Sequence, residues 1–368
     1  MLIGLILKGL FFALIPLIVV YFSRKNDIFK AFSWATVFYT LDLIIFGSFT
    51  RLTDSGLGCP DWPGCYGQSN PFMAMNEIIQ AQKLLPDGPV TMVKAWIEMI
   101  HRYLAIGVGI LIIFIFIFSY VKWKKTSLNK FNPFLPFIIL VLVCVQGAFG
   151  ALTVTLKLQP IIVTIHLALA QILLGLLTYN ALKQSNTFIL DNTNFFLKIL
   201  SITALLLVFV QILLGGWVST NYAALVCNGF PMCQDKIVPD MDFNGGFTLW
   251  RELGLNNDGS FISMSSLTAI HWVHRTFAYF VAIFVGFTAF KFLKLTGYFN
   301  LSITLILLLV FQFLTGILSV LLDKPLILAL MHSAFATFLF LSLVMLNYKV
   351  ILAVRKKEID KSLVLNTV

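Results

Sequence analysis

The sequence is poor in charged residues. Asp, Glu, Lys and Arg make up 11% of its 368 residues, against about 25% in soluble domains. Apolar residues make up 59%, including 36 Phe, and a soluble domain of this length cannot bury so much apolar surface. The composition excludes a soluble enzyme and a disordered chain. With five Cys in so long a chain, it also excludes a small disulfide scaffold. No phosphate-binding loop, nucleophile elbow or nucleic-acid motif is present.

Nine apolar segments are long enough to cross a bilayer, which requires about 20 residues each. They lie at about 2–23, 30–50, 91–120, 132–154, 160–182, 194–219, 264–291, 298–321 and 326–350. An open sheet cannot satisfy its backbone in lipid, so helices are predicted throughout. The first segment lacks the basic start and the cleavage site of a signal peptide, and we interpret it as a transmembrane helix.

The loops differ in charge, which predicts the orientation. One set of loops and tails holds sixteen basic and four acidic residues, whereas the other holds seven basic and ten acidic residues. The basic set is expected in the cytoplasm. This places the N-terminus outside, the C-terminus in the cytoplasm and two long loops, about 51–90 and 220–263, outside. The net charge of +10 follows from this asymmetry and does not indicate a nucleic-acid partner.

The chain contains an internal repeat. Three motifs recur in the same order in both halves. Gly47 and Gly215 each lie 12 residues before a Cys-x5-Cys pair, and Glu98-x-x-His101-Arg102 matches His271-x-x-His274-Arg275. Gln146-x3-Gly150 then precedes His166 as Gln312-x3-Gly316 precedes His332. We therefore predict an all-α polytopic membrane protein with two repeated four-helix transmembrane bundles plus one extra N-terminal transmembrane helix. The predicted units are the extra helix at 1–29, the two bundles at 30–185 and 186–352, and a cytoplasmic basic tail at 353–368.

All five histidines lie within predicted spans, where polar residues are costly and usually face the bundle interior. His101 pairs with His166, and His274 pairs with His332. The helices of each pair begin on the same side, so the two imidazoles lie at similar depth. This arrangement is typical of heme iron held between two histidines. Hydrogen-bonded packing histidines and a zinc site are the alternatives.

The residues beside these histidines suggest separate tasks. Glu98, His101 and Arg102 share one helix face. Arg102 and Arg275 are candidates to neutralise heme propionates, although Arg102 can instead pair with Glu98. Glu98 is a candidate acid/base. His271 stands where the first half has Glu98, so one pocket is expected to do chemistry and the other to carry electrons, with His271 as a neighbour of the ligand.

Four of the five cysteines form two pairs in the long loops predicted outside, where disulfides persist. The pairs are Cys59 with Cys65 and Cys227 with Cys233. The spacing allows short closed loops without proving a bond. A structural role and a redox role both stay open, and the redox role is more plausible for the first pair.

The stretch from Thr50 to Cys65, Thr-Arg-Leu-Thr-Asp-Ser-Gly-Leu-Gly-Cys-Pro-Asp-Trp-Pro-Gly-Cys, resembles the first outer loop of the heme A synthase family. The Glu98-x-x-His101-Arg102 motif, the later histidine and the second His274-Arg275 site are also similar to that family. The resemblance covers roughly residues 30–350. The extra first helix and the fifth histidine, His271, depart from the family pattern.

This resemblance implies an enzyme of the bacterial plasma membrane that oxidises a methyl group of heme O to the formyl group of heme A. It proceeds by two hydroxylations and dehydration of the resulting diol. It implies that His101 and His166 flank the substrate heme, and that His274 and His332 bind the iron of heme b as prosthetic group. It also implies that Glu98 is the essential acidic residue, and that Cys59 and Cys65 are the loop pair. The expected partners are heme O, membrane lipid, the enzyme that makes heme O and an electron donor.

Two further functions fit parts of the pattern. A di-heme membrane electron carrier linked to quinol needs the four histidines but not Glu98. A thiol–quinone oxidoreductase needs the outer cysteines but not the histidines.

Overall fold

The computed structural model describes residues 1–22, 27–185 and 193–365. Within these ranges the regular structure is helical, accompanied by isolated β-bridges. The helices are α1 (Leu2–Phe22), α2 (Ile28–Leu52), α3 (Met75–Leu84), α4 (Met92–Thr126), α5 (Phe134–Thr155), α6 (Pro160–Lys183), α7 (Phe195–Thr220), α8 (Phe243–Gly246), α9 (Met264–Leu293), α10 (Phe299–Leu321) and α11 (Leu326–Leu365). The predicted all-α polytopic membrane protein is confirmed.

Eight of these helices are long and apolar enough to cross a membrane, counting only the part of the chain that the structure describes. They are α2, α4 to α7 and α9 to α11, which match the last eight of the nine predicted segments. Helix α1 forms as well, but its apolar run Leu2–Ile18 is shorter. That α1 spans the membrane stays a prediction. The predicted end of its segment at residue 23 lies outside the described ranges, and the predicted boundary after residue 185 adjoins residues outside them.

Most of the spanning helices begin at a residue suited to the position. Side-chain oxygens of Asp27, Thr91, Asn194 and Ser263 accept backbone N–H groups of the first turns of α2, α4, α7 and α9. Pro160 occupies the first position of α6, where a missing N–H costs nothing. At the other end of the chain, α11 continues to Leu365, so the segment predicted as a separate tail is helical as far as residue 365.

The eight spanning helices form two rings of four. In the first ring α2 contacts α4, α4 contacts α5, α5 contacts α6 and α6 returns to α2. In the second ring α7, α9, α10 and α11 close in the same order. Each ring has its own apolar core: Leu111 and Leu174 lie in the first, and Val285 and Leu343 in the second. The domain boundaries stay predictions, but the ring contacts group the helices as the repeat does.

The rings meet through α6, which contacts both α7 and α11, and through α2, which contacts α11. Between α6 and α11, Gln171 Nε2 donates to Thr337 Oγ1 at 3.2 Å. A further link joins the ends of α2 and α7: Arg51 Nη2 donates to the backbone oxygen of Ser219 at 2.6 Å. The Arg51 guanidinium also lies 4.2 Å from the centre of the Tyr222 ring.

These contacts place the long connections after α2 and α7 at the same end of the molecule, which we call the loop face. The first connection carries α3 and the second carries α8. Asp242 begins α8 by accepting the N–H of Gly245 at 3.1 Å and the hydroxyl of Ser266 at 2.8 Å. These two hydrogen bonds hold the pKa of Asp242 below its ordinary value.

Helix α1 lies outside both rings and packs against α4 and α2. The approach to α4 is close at Gly9, where a Cβ atom would lie 2.3 Å from Cγ2 of Ile106. One residue earlier, Lys8 Nζ donates to Ser69 Oγ in the first long connection at 3.1 Å. Helix α1 therefore contacts the loop of the first ring as well as its wall.

Candidate functional site

The four predicted histidines lie on helices that begin at the loop face. His101 is nine residues into α4, and His166 is six residues into α6. His274 is ten residues into α9, and His332 is six residues into α11. With a rise of about 1.5 Å per residue, the members of each pair differ in depth by roughly 5 Å. The structure thus brings together the two pairs that the sequence predicts, one in each ring.

The rings of His274 and His332 face each other across the second bundle. Their centroids are 6.5 Å apart, and their planes are inclined by 85°. Two imidazoles bound to opposite sides of one metal ion, with metal–nitrogen bonds of about 2 Å, place their centroids roughly 6 Å apart. The separation therefore suits an iron atom held between these two side chains. In the first bundle, His101 and His166 lie close enough to interact electrostatically.

Each histidine packs against a glycine of the helix before it in the ring. A Cβ atom on Gly47 would lie 3.0 Å from Cε1 of His101, and one on Gly215 would lie 3.0 Å from Cε1 of His274. The corresponding distance is 3.4 Å from Gly150 to His166 and 2.8 Å from Gly316 to His332. The glycines marked the repeat in the sequence, and the structure shows that their lack of a side chain makes room for the imidazoles.

Three glutamines contact histidine rings through their side-chain amide nitrogens, a role that the sequence alone did not reveal. Gln146 Nε2 donates to the backbone oxygen of His166 at 3.1 Å and lies 3.3 Å from its Nε2. Gln211 Nε2 donates to the backbone oxygen of His274 at 3.0 Å and lies 3.1 Å from its Nδ1.

The third glutamine lies beside the second histidine of the second ring and contacts both of its ring nitrogens. Gln312 Nε2 lies 3.3 Å from Nε2 of His332, and the backbone oxygen of Gln312 lies 3.0 Å from Nδ1. The Gln-x3-Gly spacing was the signal that could have revealed this role. The glycine and the glutamine lie on one helix face, one turn apart.

The polar atoms around the histidines fit a heme. Oε1 of Gln146, Gln211 and Gln312 is buried with no hydrogen-bond partner among the described residues, and the same holds for Nδ1 of His101 and His166. Orphaned buried polar atoms are rare and call for an explanation. A histidine bound to a metal donates its other ring N–H to an acceptor, and at His332 the backbone oxygen of Gln312 lies 3.0 Å from Nδ1. Within the described ranges, no group of three or more His, Cys, Asp or Glu is placed to hold a metal ion.

Glu98 is nearly inaccessible to solvent and has two partners. Its Oε2 accepts the backbone N–H of Cys59 at 2.8 Å, and its Oε1 pairs with Arg102. The alternative that Arg102 pairs with Glu98 is therefore observed. The carboxylate is fixed on one side by its own helix and on the other by the first disulfide loop, one turn from His101.

The two predicted arginines hold the loops above their rings. Arg102 donates to the backbone oxygens of Asp61 and Gly64. Arg275 donates to those of Gly229 and Met232, the matching positions of the repeat. Their predicted role toward heme propionates stays a prediction.

His271, which replaces Glu98 in the second ring, is buried and contacts the backbone of Ala223. Its Nδ1 has no partner among the described residues. The second ring therefore offers a neutral aromatic group where the first offers a carboxylate. This difference supports unequal roles for the two rings.

Both predicted cysteine pairs are disulfides: Cys59 with Cys65 and Cys227 with Cys233. The loops have the same internal structure, with cis peptide bonds before Pro63 and Pro231. All four sulfur-bearing side chains are buried. The bonds close the loops that the arginines hold, which supports a structural role, while the predicted redox role stays a prediction.

The fold and the site define an integral membrane protein of two repeated four-helix bundles, each enclosing a pair of histidines. Residues 30–344 match the family COX15-CtaA, cytochrome oxidase assembly protein. Heme A synthase of Shewanella oneidensis is 36% identical over 315 residues, which cover 85% of this chain and 94% of the relative. The chain belongs to the heme A synthase family, and the resemblance seen in the sequence is confirmed.

Two further relatives are more distant. Heme A synthase of Rickettsia bellii is 30% identical over 338 residues, which cover 84% of this chain and 94% of the relative. Heme A synthase of Rickettsia africae is 30% identical over 321 residues, which cover 80% and 90%. The family match begins at residue 30, after α1, so the extra N-terminal helix lies outside it.

Proposed function

We propose that this protein oxidises a methyl group of heme O to the formyl group of heme A. The observation that carries the proposal is the buried Glu98, held one turn from His101 in a chain of the heme A synthase family. An electron carrier has no need of this carboxylate, and a thiol–quinone oxidoreductase has no need of the paired histidines. Neither alternative is favoured.

Heme O is expected in the first ring, between His101 and His166. Glu98 lies beside that position, and its carboxylate can accept or return a proton at Oε1 or Oε2. Cys59 N–H and Arg102 fix the direction in which it faces. Successive oxidation of a methyl group releases protons, so a fixed carboxylate one turn from His101 would suit the reaction.

Heme b is expected in the second ring as the prosthetic group, held by His274 and His332. When bound, it supplies a redox centre that exchanges single electrons. The ring separation of 6.5 Å and the orphaned amide oxygens support this assignment. His271 is expected to adjoin the ligand His274 without binding the iron. Arg275 holds the loop that covers this ring.

The orientation is part of the proposal. With the N-terminus outside and the C-terminus in the cytoplasm of a bacterial plasma membrane, the loop face and both disulfides lie outside, where disulfides persist. A cysteine introduced at Asp87 should react with a membrane-impermeant maleimide in intact cells, and one introduced at Lys124 should not. The reverse labelling would contradict the orientation.

Heme content is the first test of the function. The protein purified in mild detergent should release heme b together with heme O or heme A on acid extraction, identified by chromatography with mass detection. Heme b alone in a preparation without heme O turnover would contradict the proposed reaction. A well-folded preparation with no heme would contradict both heme sites.

Turnover then tests the carboxylate. Glu98→Gln should retain both hemes and lose heme A formation. Glu77→Gln is the matched control, since Glu77 lies exposed on α3 in the same loop. Heme A formation by Glu98→Gln at the rate of the control would contradict the role of Glu98. A complex with the enzyme that makes heme O, and an electron donor, are further expectations that co-purification in mild detergent would test.

A further inference from the structure

One of the four histidine sites lacks the glutamine that the other three share. The helices that face His166, His274 and His332 carry Gln146-x3-Gly150, Gln211-x3-Gly215 and Gln312-x3-Gly316. Helix α2 faces His101 and carries Leu43 four residues before Gly47. Leu43 and Gln211 are therefore equivalent positions of the repeat, one apolar and one an amide.

The difference changes how the imidazole is held. Gln211 contacts His274 at a ring nitrogen and at its backbone oxygen. His101 has no such glutamine contact among the described residues, and its Nδ1 is buried without a partner there, as is Nδ1 of His166. Its ring instead stacks on Phe46, with centroids 6.3 Å apart and planes inclined by 10°. Apolar contacts resist rotation and tilting less specifically than a directed hydrogen bond does.

The missing amide also removes a polar contact at the ring itself. The amide nitrogens of Gln146, Gln211 and Gln312 lie 3.3, 3.1 and 3.3 Å from a ring nitrogen of His166, His274 and His332. The side chain of Leu43 offers His101 no polar atom. Of the four histidines, His101 is thus the least supported.

We propose that His101 is the exchangeable ligand of the first ring, and that Leu43 makes it so. This rests on the proposed function, in which the first ring holds the substrate heme. An iron between two histidines has no open position, and chemistry at a metal requires one. The step breaks one bond between iron and imidazole nitrogen, the electron pair stays with the ring, and no electron is transferred. The other three histidines stay bound.

The test exchanges the two equivalent residues. Leu43→Gln gives His101 the amide, and Gln211→Leu removes it from His274. Gln171→Leu is the matched control, because Gln171 is also buried but bonds Thr337 between the rings. Carbon monoxide is the probe, since it binds reduced heme only where a ligand leaves. Its binding is measured in detergent on the reduced protein with heme A in the first ring, because the formyl group of heme A shifts its optical bands away from those of heme b.

In the wild type, carbon monoxide should bind the heme of the first ring and spare heme b. One directed hydrogen bond changes such an equilibrium by about fivefold, and at most roughly tenfold. Leu43→Gln should therefore weaken carbon monoxide binding at the first ring by that factor. Gln211→Leu should strengthen binding at heme b by a similar factor, and Gln171→Leu should match the wild type.

Two results would overturn the proposal: unchanged binding in Leu43→Gln with both hemes present, or preferential binding to heme b in the wild type. Should Leu43→Gln fail to incorporate heme, Gln211→Leu tests the same contact in the opposite direction, and an unchanged heme b would refute the argument. Absence of heme from the first ring of the wild type would instead contradict the proposed function.

Discussion

Replacing Glu98 by alanine should destabilise the protein strongly, because it leaves a buried charge without its partner. Only 5% of the Glu98 side chain and 9% of the Arg102 side chain are exposed. Removing one partner of a buried ion pair costs about 3–5 kcal/mol. Arg102 keeps its two carbonyl acceptors in the loop, so the lower end of this range is expected. Glu98→Gln keeps an acceptor for the N–H of Cys59 and should cost less, about 1–3 kcal/mol.

The free energy of unfolding can be measured by titrating sodium dodecyl sulfate into protein held in mild detergent. Glu77→Ala is the control, and as an exposed substitution it should stay within about 0.5 kcal/mol of the wild type. The double variant Glu98→Ala with Arg102→Met removes both charges. It should be less destabilised than the sum of the two single variants, with a coupling of roughly 1–3 kcal/mol.

A cost for Glu98→Ala no larger than that of Glu77→Ala would refute the reasoning, since a buried pair cannot be broken without cost. Additive single and double variants would show that Glu98 and Arg102 do not act as a pair. In that case the orientation of the carboxylate would have to depend on Cys59 alone.

Three further results are expected. Gly316→Ala should reduce heme b content, because the new Cβ would lie 2.8 Å from Cε1 of His332. Gly147→Ala should not reduce it, because no heavy atom lies within 4 Å of a Cβ at that position. Equal heme b content in both variants would count against the glycine contact. The depressed pKa of Asp242 stabilises the loop at α8 above an unfolded pKa of about 3.9, and this contribution is lost as the pH falls through the lower folded value. The protection of the α8 amides against hydrogen exchange, relative to the intrinsic rate at each pH, should therefore fall below about pH 4 in the wild type and change less in Asp242→Asn. Gly9→Val should push α1 away from α4, because a Cβ at this position would lie 2.3 Å from a side chain of α4. Proteolysis of α1 should then be faster than in Gly147→Val. Identical digestion patterns would argue that α1 does not pack against α4 at Gly9.

The spans and the histidine pairs could be predicted because apolar runs and an internal repeat are both visible in the sequence. Runs of apolar residues fix the helices, and the repeat assigns His101 to His166 and His274 to His332. The histidines of a pair lie within three or four residues of the same distance from their helix starts, which gives them similar depth. The cysteine pairs could be proposed from their six-residue separation, but their bonding could not, because spacing does not determine the path of the loop.

The arginine contacts could not be predicted, because their acceptors are backbone oxygens. Arg102 binds the carbonyls of Asp61 and Gly64, and any residue at those positions offers the same atom. Only the folded path of the loop brings them to the guanidinium. Gln211 was missed for a different reason: its equivalent in the first half is Leu43, so the repeat did not mark the position. Only the folded structure, in which α7 packs against α9, brings Gln211 to His274.

Each four-helix ring closes on itself, and this affects whether molecules and electrons can pass between the two halves. The surface that the halves share is formed by the outer walls of α2, α6, α7 and α11, so packed helices stand between the interiors of the two rings. Electron transfer does not need an open passage. His166 and His332 lie on α6 and α11, which are in contact. Under the proposed assignment of the substrate heme to the first ring and heme b to the second, electrons would cross between these packed helices, while the substrate would enter the first ring separately.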